Sequence, residues 1–138
     1  MGDRRKAREI ALQILYEVEV KGEEPKSILA HSSKDKEKEV APMTQEFATQ
    51  LVEGTYRNRK EIDQLIEKHS LHWKLNRMAS IDRNILRLSV YELLYLHDVP
   101  SSVVLNEAIE IAKKFGTEGS GSFINGILDK VSKEVRKE

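Results

Sequence analysis

Residues Ser80 to Leu96 read SIDRNILRLSVYELLYL and form the most strongly patterned stretch of the chain. Their apolar side chains recur at the three- and four-residue spacing of an α-helix and cover more than one side of it. A helix of this kind cannot lie at the surface of a small protein, because its apolar sides must be covered by other helices. We therefore expect it to be the core around which the remaining elements pack. The apolar positions are Ile81, Ile85, Leu86, Leu88, Val90, Leu93, Leu94 and Leu96.

The segments on both sides of this stretch also carry helical periodicity, whereas no alternation typical of a β-strand is sustained. Asp98-Val99-Pro100 ends the central helix, because a residue that precedes proline disfavours the helical conformation. Gly22 is expected to end the first helix, and Thr44 and Ser122 are candidate N-caps. The predicted helices cover residues 4–21, a short segment from Pro25, a segment from Thr44, residues 61–69, 80–96, about 102–115 and 122–136.

Two shorter stretches connect these helices. Residues 31–42, HSSKDKEKEVAP, carry mixed charges and a proline, which predicts a solvated connector. Trp73, Leu75 and Met78 are expected to form a hydrophobic bridge into the central helix. The pattern as a whole predicts an all-α fold.

Composition excludes several classes of protein. The 138 residues suit a single domain, and the absence of cysteine excludes disulfides, thiolate zinc sites and cysteine nucleophiles. The 23 basic and 23 acidic residues cancel, so only the distribution of charge can indicate a partner. No apolar run approaches the roughly 20 residues of a membrane span, and charged helix follows the basic N-terminus at once, so neither a span nor a signal peptide is expected.

A basic cluster, Arg4, Arg5, Lys6 and Arg8, opens the first predicted helix. Cations in the first turn oppose the helix dipole at a cost of some tenths of a kcal/mol each, so stability alone does not favour them there. A solvated arm is one interpretation, and phosphate binding is the other. Tyr16, on the polar side of the same helix, favours single-stranded nucleic acid, whose bases stack on aromatic rings.

The glycine-rich stretch FGTEGSGS, residues 115–122, allows two interpretations. A loop that opens a helix can present backbone N–H groups to an anion. The alternative is a turn between two packed helices, with Phe123 in the core. The stretch lacks the lysine of a phosphate-binding Walker loop, so it does not fit that motif. No strand precedes it, so it does not fit the glycine-rich fingerprint of dinucleotide-binding folds either.

The remaining polar residues indicate neither a metal site nor a catalytic site. His69 and His72 could share a helix face but have no local third ligand. The carboxylates on the apolar helices are expected to form ion pairs that orient those helices. No nucleophile, base and orienting group can be assembled, so no enzymatic activity and no cofactor are expected. The carboxylates are Asp82, Glu92, Glu107 and Glu110.

A series of motifs resembles the NusB family of transcription antitermination factors. WKLNRM (73–78), IDRNILRLSVYELL (81–94), Asp98-Val99-Pro100, NEAIEIAKKFG (106–116) and SGSFINGILD (120–129) follow in order without a gap, and RRKAREIALQILY (4–16) resembles the family's opening helix. Residues 22–60 carry little of this signature.

The resemblance implies a bundle of about seven helices in two packed subdomains of three to four helices, over about 1–72 and 73–138. It implies a cytoplasmic protein that is not an enzyme. Members bind boxA-type single-stranded RNA of ribosomal RNA leader transcripts together with NusE, a small-subunit ribosomal protein. The pair joins other Nus factors on RNA polymerase. Two questions stay open: whether the chain forms a homodimer, and whether it is instead a protein-association module whose RNA binding is incidental.

The resemblance also implies site residues. An RNA surface is expected on the first helix at Arg4, Arg5, Lys6, Arg8, Gln13 and Tyr16, and on the loop before the last helix at Glu118, Gly119, Ser120, Ser122 and Phe123. The family often has an acidic or amide residue where this chain has Gly119, and a lysine where it has Ser122. The NusE-binding side is expected at Asn76, Asp82 and Arg83.

Overall fold

The computed structural model describes residues 2–29 and 40–136, and in these residues the fold is all-α, as predicted, without a strand. Most of the predicted connector, residues 31–42, lies outside the described residues. None of the described helices is long and apolar enough to cross a bilayer. The helices are α1 (Gly2–Lys21), α2 (described over 25–29), α3 (Pro42–Arg57), α4 (Arg59–Lys68), α5 (Ser80–Tyr95), α6 (Ser101–Phe115) and α7 (Ser120–Val135), with a 3-10 turn at Leu75–Arg77.

The chain divides into two compact units, Met1–Arg57 and Asn58–Glu138. In the N-terminal unit α1 packs against α3. In the C-terminal unit α5 packs against α4, α6 and α7, and α6 packs against α7. The family resemblance implied a division near residue 72, whereas the division between these two units lies before α4. The difference arises because α4 contacts α5 and α7.

Helix α5 is the core of the C-terminal unit, which confirms the prediction made from its sequence. Ten of its sixteen residues are buried, and Leu86 and Leu93 are fully inaccessible to solvent. One of its buried polar residues is satisfied by a local bond: the Asn84 amide donates to the Ser80 carbonyl at 2.9 Å. Three helices therefore surround α5, as its apolar pattern requires.

Three local predictions were wrong. Helix α3 begins at Pro42, because proline suits the first helical turn, so Thr44 is a buried helical residue rather than the N-cap. Helix α7 begins at Ser120, which makes Ser122 its third residue. Trp73 is 54% exposed, so the hydrophobic bridge consists of Leu75 and Met78.

The predicted end of α1 is confirmed: Gly22 has φ +65°, and its N–H donates to the Val18 carbonyl.

Ion pairs tie distant helices of the C-terminal unit together. The Arg87 guanidinium forms a two-pronged bond with Asp63, Nε to Oδ1 at 2.8 Å and Nη2 to Oδ2 at 3.1 Å. Glu134 is contacted by Lys68 at 3.0 Å and by His69 at 2.7 Å. Hydrogen bonds from Lys68 and His69 lower the pKa of Glu134 below its ordinary value, and the bond from Lys68 has the larger effect. His69 is thus engaged in linking α4 to α7.

Arg136 caps the C-terminal end of α5. The last carbonyls of a helix lack partners within it. The Arg136 guanidinium donates to four carbonyls in and after the last turn, those of Glu92, Leu93, Leu96 and Val99.

We expect Arg136→Ala to lower the free energy of unfolding by about 2–3 kcal/mol, because bonds from a charged donor to partly buried acceptors are lost. Urea denaturation measures this change. Lys133→Ala is the control, since Lys133 is exposed and its ammonium forms an exposed, weak ion pair with Asp129 at 3.1 Å. Equal midpoints for the two variants would show that the cap is unimportant.

Candidate nucleic-acid interface

The first turns of α1 present a row of cations to solvent. Arg4, Arg5 and Lys6 are exposed, and the only acidic residue of the first turn is Asp3. Ala7 and Ala11, about one and two turns after Arg4, are fully buried. The basic start of α1 is therefore a local positive surface on a chain whose net charge is zero.

The ring of Phe47, on α3, lies against two arginines of α1, Arg4 and Arg8. The guanidinium carbon of Arg4 is 4.3 Å from the centre of the Phe47 ring, and that of Arg8 is 5.8 Å away. Both distances lie within the range of cation–π attraction. The ring thus orders Arg4 at the surface.

The structure does not bring Arg8 to the surface, although Arg8 was expected among the RNA contacts. Its side chain is only 4% exposed. The reason is the helical period: Arg8 shares the buried stripe of α1 with Ala11, Leu12 and Leu15. Arg8 therefore lies on the packed side of the helix, beside the Phe47 ring.

Further along α1, Gln13 and Tyr16 are exposed, on the same broad solvent side as Arg5. Tyr16 is 39% exposed, so part of its ring is available for stacking. Arg5 and Tyr16 are about 16 Å apart along the helix axis, at a rise of about 1.5 Å per residue. A cation and an aromatic ring at this separation can contact different nucleotides of one extended strand.

The loop between α6 and α7 is closed by Ser120. The Thr117 backbone N–H donates to Ser120 Oγ at 2.9 Å, and the Ser120 N–H donates to the Thr117 carbonyl at 3.1 Å. Ser120 is only 2% exposed, so the structure does not bring this expected RNA contact to the surface. Glu118, Gly119 and Ser122 are exposed, and Phe123 is half-buried.

Gly116 is required by this closure. A Cβ atom at Gly116 would lie 2.5 Å from Ser120 Oγ and 2.9 Å from the Ala112 carbonyl oxygen. We expect Gly116→Ala to destabilise the protein by about 1–3 kcal/mol, because the backbone must shift to relieve the overlap. Thermal denaturation tests this expectation. Gly119→Ala is the matched control, because a Cβ there meets nothing within 4 Å; a loss of equal size in both variants would contradict the account.

The expected partner-binding residues lie around the 3-10 turn before α5. Asn76 is exposed on that turn, and Arg83 Nη1 holds the turn by donating to the carbonyls of Leu75 at 3.0 Å and Met78 at 2.9 Å. Asp82 is 9% exposed, and its Oδ1 is buried without a hydrogen-bond partner. A buried acceptor left without a donor is costly. No described residue donates a hydrogen bond to this oxygen, so the expected ion pair of Asp82 is not seen at Oδ1.

The contribution of Phe47 was not found from the sequence. Phe47 is an apolar residue of α3 and is half-buried there. What the spacing could not show is that the ring packs against arginines on another helix. When an aromatic residue and a basic cluster are far apart in the sequence, the sequence alone does not indicate that they are in contact.

Comparisons with known proteins agree with this architecture. A sequence model described as the NusB family matches residues 5–133. A Transcription antitermination protein NusB from Myxococcus xanthus (strain DK1622) is 47% identical, and the match covers 99% of each chain. A protein of the same name from Desulfitobacterium hafniense (strain Y51) is 49% identical over 98% of this chain and 91% of its own.

Solved structures are similar as well. The structure of T. maritima NusB has a TM-score of 0.88 and 40% sequence identity, covering 97% of this chain and 94% of that one. A chain from the crystal structure of antitermination factors NusB and NusE in complex with dsRNA has a TM-score of 0.87 and 32% identity, covering 97% and 98%.

Proposed function

Because this chain belongs to the NusB family, we propose that it is a transcription antitermination factor that binds boxA-type single-stranded RNA of ribosomal RNA leader transcripts together with NusE. In this role it acts in the cytoplasm as part of an RNA polymerase antitermination complex and catalyses no reaction. The RNA-binding residues are carried by two regions, the basic start of α1 and the loop between α6 and α7.

The observation that carries the proposal is the exposed cluster Arg4, Arg5 and Lys6 at the N-terminal end of α1. These cations oppose the helix dipole, and the phosphates of a nucleic acid are partners of the opposite charge. Tyr16 offers a stacking surface on the same helix. Gln13, Glu118, Gly119, Ser122 and Phe123 supply further exposed or half-buried contacts.

The partner surface lies at the start of α5 in this proposal. Asn76 is exposed and can contact NusE, whereas Oδ1 of Asp82 is buried beneath the surface. Leu71 and Trp73, close by in sequence, are exposed apolar side chains of the kind that protein interfaces cover. Arg83 acts here by holding the turn that presents Asn76.

Phe47 supports RNA binding by ordering Arg4. We expect Phe47→Leu to weaken boxA RNA binding about two- to fivefold, because a cation–π contact contributes about 0.5–1 kcal/mol at an exposed site. Phe47→Tyr keeps the aromatic face and should bind as the wild type does. Fluorescence anisotropy gives the affinities, and urea denaturation checks that both variants are folded. Equal affinities for the leucine and tyrosine variants would remove this role.

A test of the proposed function compares labelled boxA RNA with a scrambled strand and with a duplex of the same sequence, each titrated with the complex of this protein and NusE. The proposal expects the single boxA strand to bind most tightly. If the protein is instead a protein-association module, it should still capture NusE after nuclease treatment. The complex should then have no measurable affinity for RNA.

A further inference from the structure

The segment that joins α4 to the 3-10 turn, residues 69–74, presents two large apolar side chains to solvent. Leu71 is 77% exposed and Trp73 is 54% exposed. Tryptophan is among the residues that most often carry the binding energy of a protein interface. The way in which the protein holds this segment therefore decides how the surface is presented to a partner.

The end of the segment is tied to two helices of the C-terminal unit. The Leu75 backbone N–H donates to Glu67 Oε2 of α4 at 3.3 Å, and the Leu75 carbonyl accepts from Arg83 of α5 at 3.0 Å. The side chain of Leu75 is buried, which anchors the turn from below. The residue at which the segment ends is thus fixed on both sides of its backbone.

The start of the segment is tied to α7. His69 directly follows α4, and its Nε2 lies 2.7 Å from Glu134 Oε1 in the last turn of α7. Lys68 contacts the same oxygen at 3.0 Å, but its side chain is 62% exposed, and exposed ion pairs contribute little. The His69 side chain is only 18% exposed, so water competes less for its bond. Glu134 therefore fixes the residue from which the segment departs.

A local bond closes the segment between these two ends. The Ser70 hydroxyl donates to the Trp73 carbonyl at 2.8 Å, which bends the backbone into a turn. Because Ser70 directly follows His69, its position depends on the contact between His69 and Glu134. The contact on α7 is in this way transmitted through two adjacent residues to the backbone of Trp73.

We propose that Glu134 is a positioning residue of the partner surface: through His69 and Ser70 it holds the turn that presents Trp73 to NusE. A loop held in its bound arrangement before association loses less conformational freedom when the partner arrives, which raises affinity. The inference rests on the proposed function. It adds to the partner surface a residue on the last helix, far along the chain from the side chains that meet the partner.

Two substitutions of Glu134 and one control test this role. Glu134→Ala removes the acceptor of His69, whereas Glu134→Gln keeps an oxygen acceptor at the same position. Asp129→Ala is the matched control, because it removes a carboxylate from the same helix, where Asp129 forms an exposed, weak ion pair with Lys133 at 3.1 Å. Urea denaturation defines conditions in which every variant is folded.

The first measurement uses the free protein. Trp73 is the only tryptophan of the chain, so intrinsic fluorescence reports the turn directly. Time-resolved anisotropy should show a larger fast decay in Glu134→Ala than in the wild type, because the indole gains motion on the nanosecond timescale. Glu134→Gln and Asp129→Ala should decay as the wild type does. Identical decays for Glu134→Ala and the wild type would overturn the inference and leave the proposed function intact.

The second measurement is the affinity for NusE by isothermal titration calorimetry. We expect Glu134→Ala to bind about fivefold more weakly, the order of the cost of ordering a few side chains, and Glu134→Gln to bind within about twofold of the wild type. In a Trp73→Ala background, Glu134→Ala should have little further effect, because the group that it positions is absent.

A loss of the same size in the Trp73→Ala background would show that Glu134 acts only on overall stability, and it would overturn the inference. Wild-type affinity of Glu134→Ala for NusE would overturn it as well. Absence of NusE binding by the wild-type protein would overturn the proposed function together with the inference, and this result is distinct from the other two.

Discussion

Replacement of Arg4 and Arg5 by alanine is expected to lower the affinity for boxA RNA by about 100-fold or more. Each of these exposed cations can form a charge-assisted bond with a phosphate, and such a bond contributes about 1.5–3 kcal/mol, which is at least about tenfold in the dissociation constant. The effect is expected to be large because the net charge of the chain is zero, so no general positive field compensates for the loss.

The salt dependence of binding identifies the mechanism of that loss. Each phosphate contact to a single strand contributes about 0.7 to the slope of log affinity against log salt concentration, so two lost contacts should reduce the slope by about 1.4. Fluorescence anisotropy at several salt concentrations gives both quantities. Circular dichroism should show unchanged helicity, because both side chains are exposed.

The control removes two positive charges elsewhere in the N-terminal unit. Lys21 and Lys26 are exposed, and Lys21 lies in the last turn of α1, far along the helix from Arg4. Lys21→Ala with Lys26→Ala should leave affinity within about twofold, since distant exposed charges are screened. Equal losses in the two double variants would mean that charge as such, rather than the start of α1, governs binding.

Leu93→Ala is expected to cause the largest loss of stability among the variants considered, about 3–4 kcal/mol. Leu93 is completely buried on α5, the helix that α4, α6 and α7 surround, so its truncation leaves a cavity that the neighbours cannot fill. Urea denaturation should show a lower midpoint with an unchanged slope. Leu94, the next residue, is half-buried, and Leu94→Ala should cost clearly less.

A loss below about 1 kcal/mol for Leu93→Ala would contradict the assignment of α5 as the central helix, because fully buried leucines rarely tolerate truncation so well. RNA affinity measured at a temperature where the variant stays folded should be unchanged, since Leu93 is inaccessible to any ligand.

Much of the fold could be predicted because its strongest signals are local. The period of apolar residues in α5 required a helix covered on several sides, and the structure shows it. Gly22 marked the end of α1 through its tolerance of positive φ. The starts of α3 and α7 were placed two residues late, because Thr44 and Ser122 were interpreted as caps although each lies within the first turn.

The site was predicted less completely, for reasons of tertiary structure. An arginine is expected at the surface, but the helical spacing of Arg8 places it on the buried side of α1. The structure follows the spacing. Ser120 resembled an exposed loop residue, yet its hydroxyl accepts a bond from Thr117 N–H. Phe47 and Arg136 act through contacts with residues far away in the chain, and no spacing rule reports such contacts.

The central claim is that this protein binds single-stranded RNA through phosphate contacts and does so together with a protein partner. The most direct test is the affinity of the wild-type protein for labelled boxA RNA, measured with and without NusE at two salt concentrations. We predict weak binding alone, tighter binding with NusE, and a marked loss of affinity at the higher salt concentration in both cases. An affinity that NusE does not change and that salt does not reduce would contradict the account.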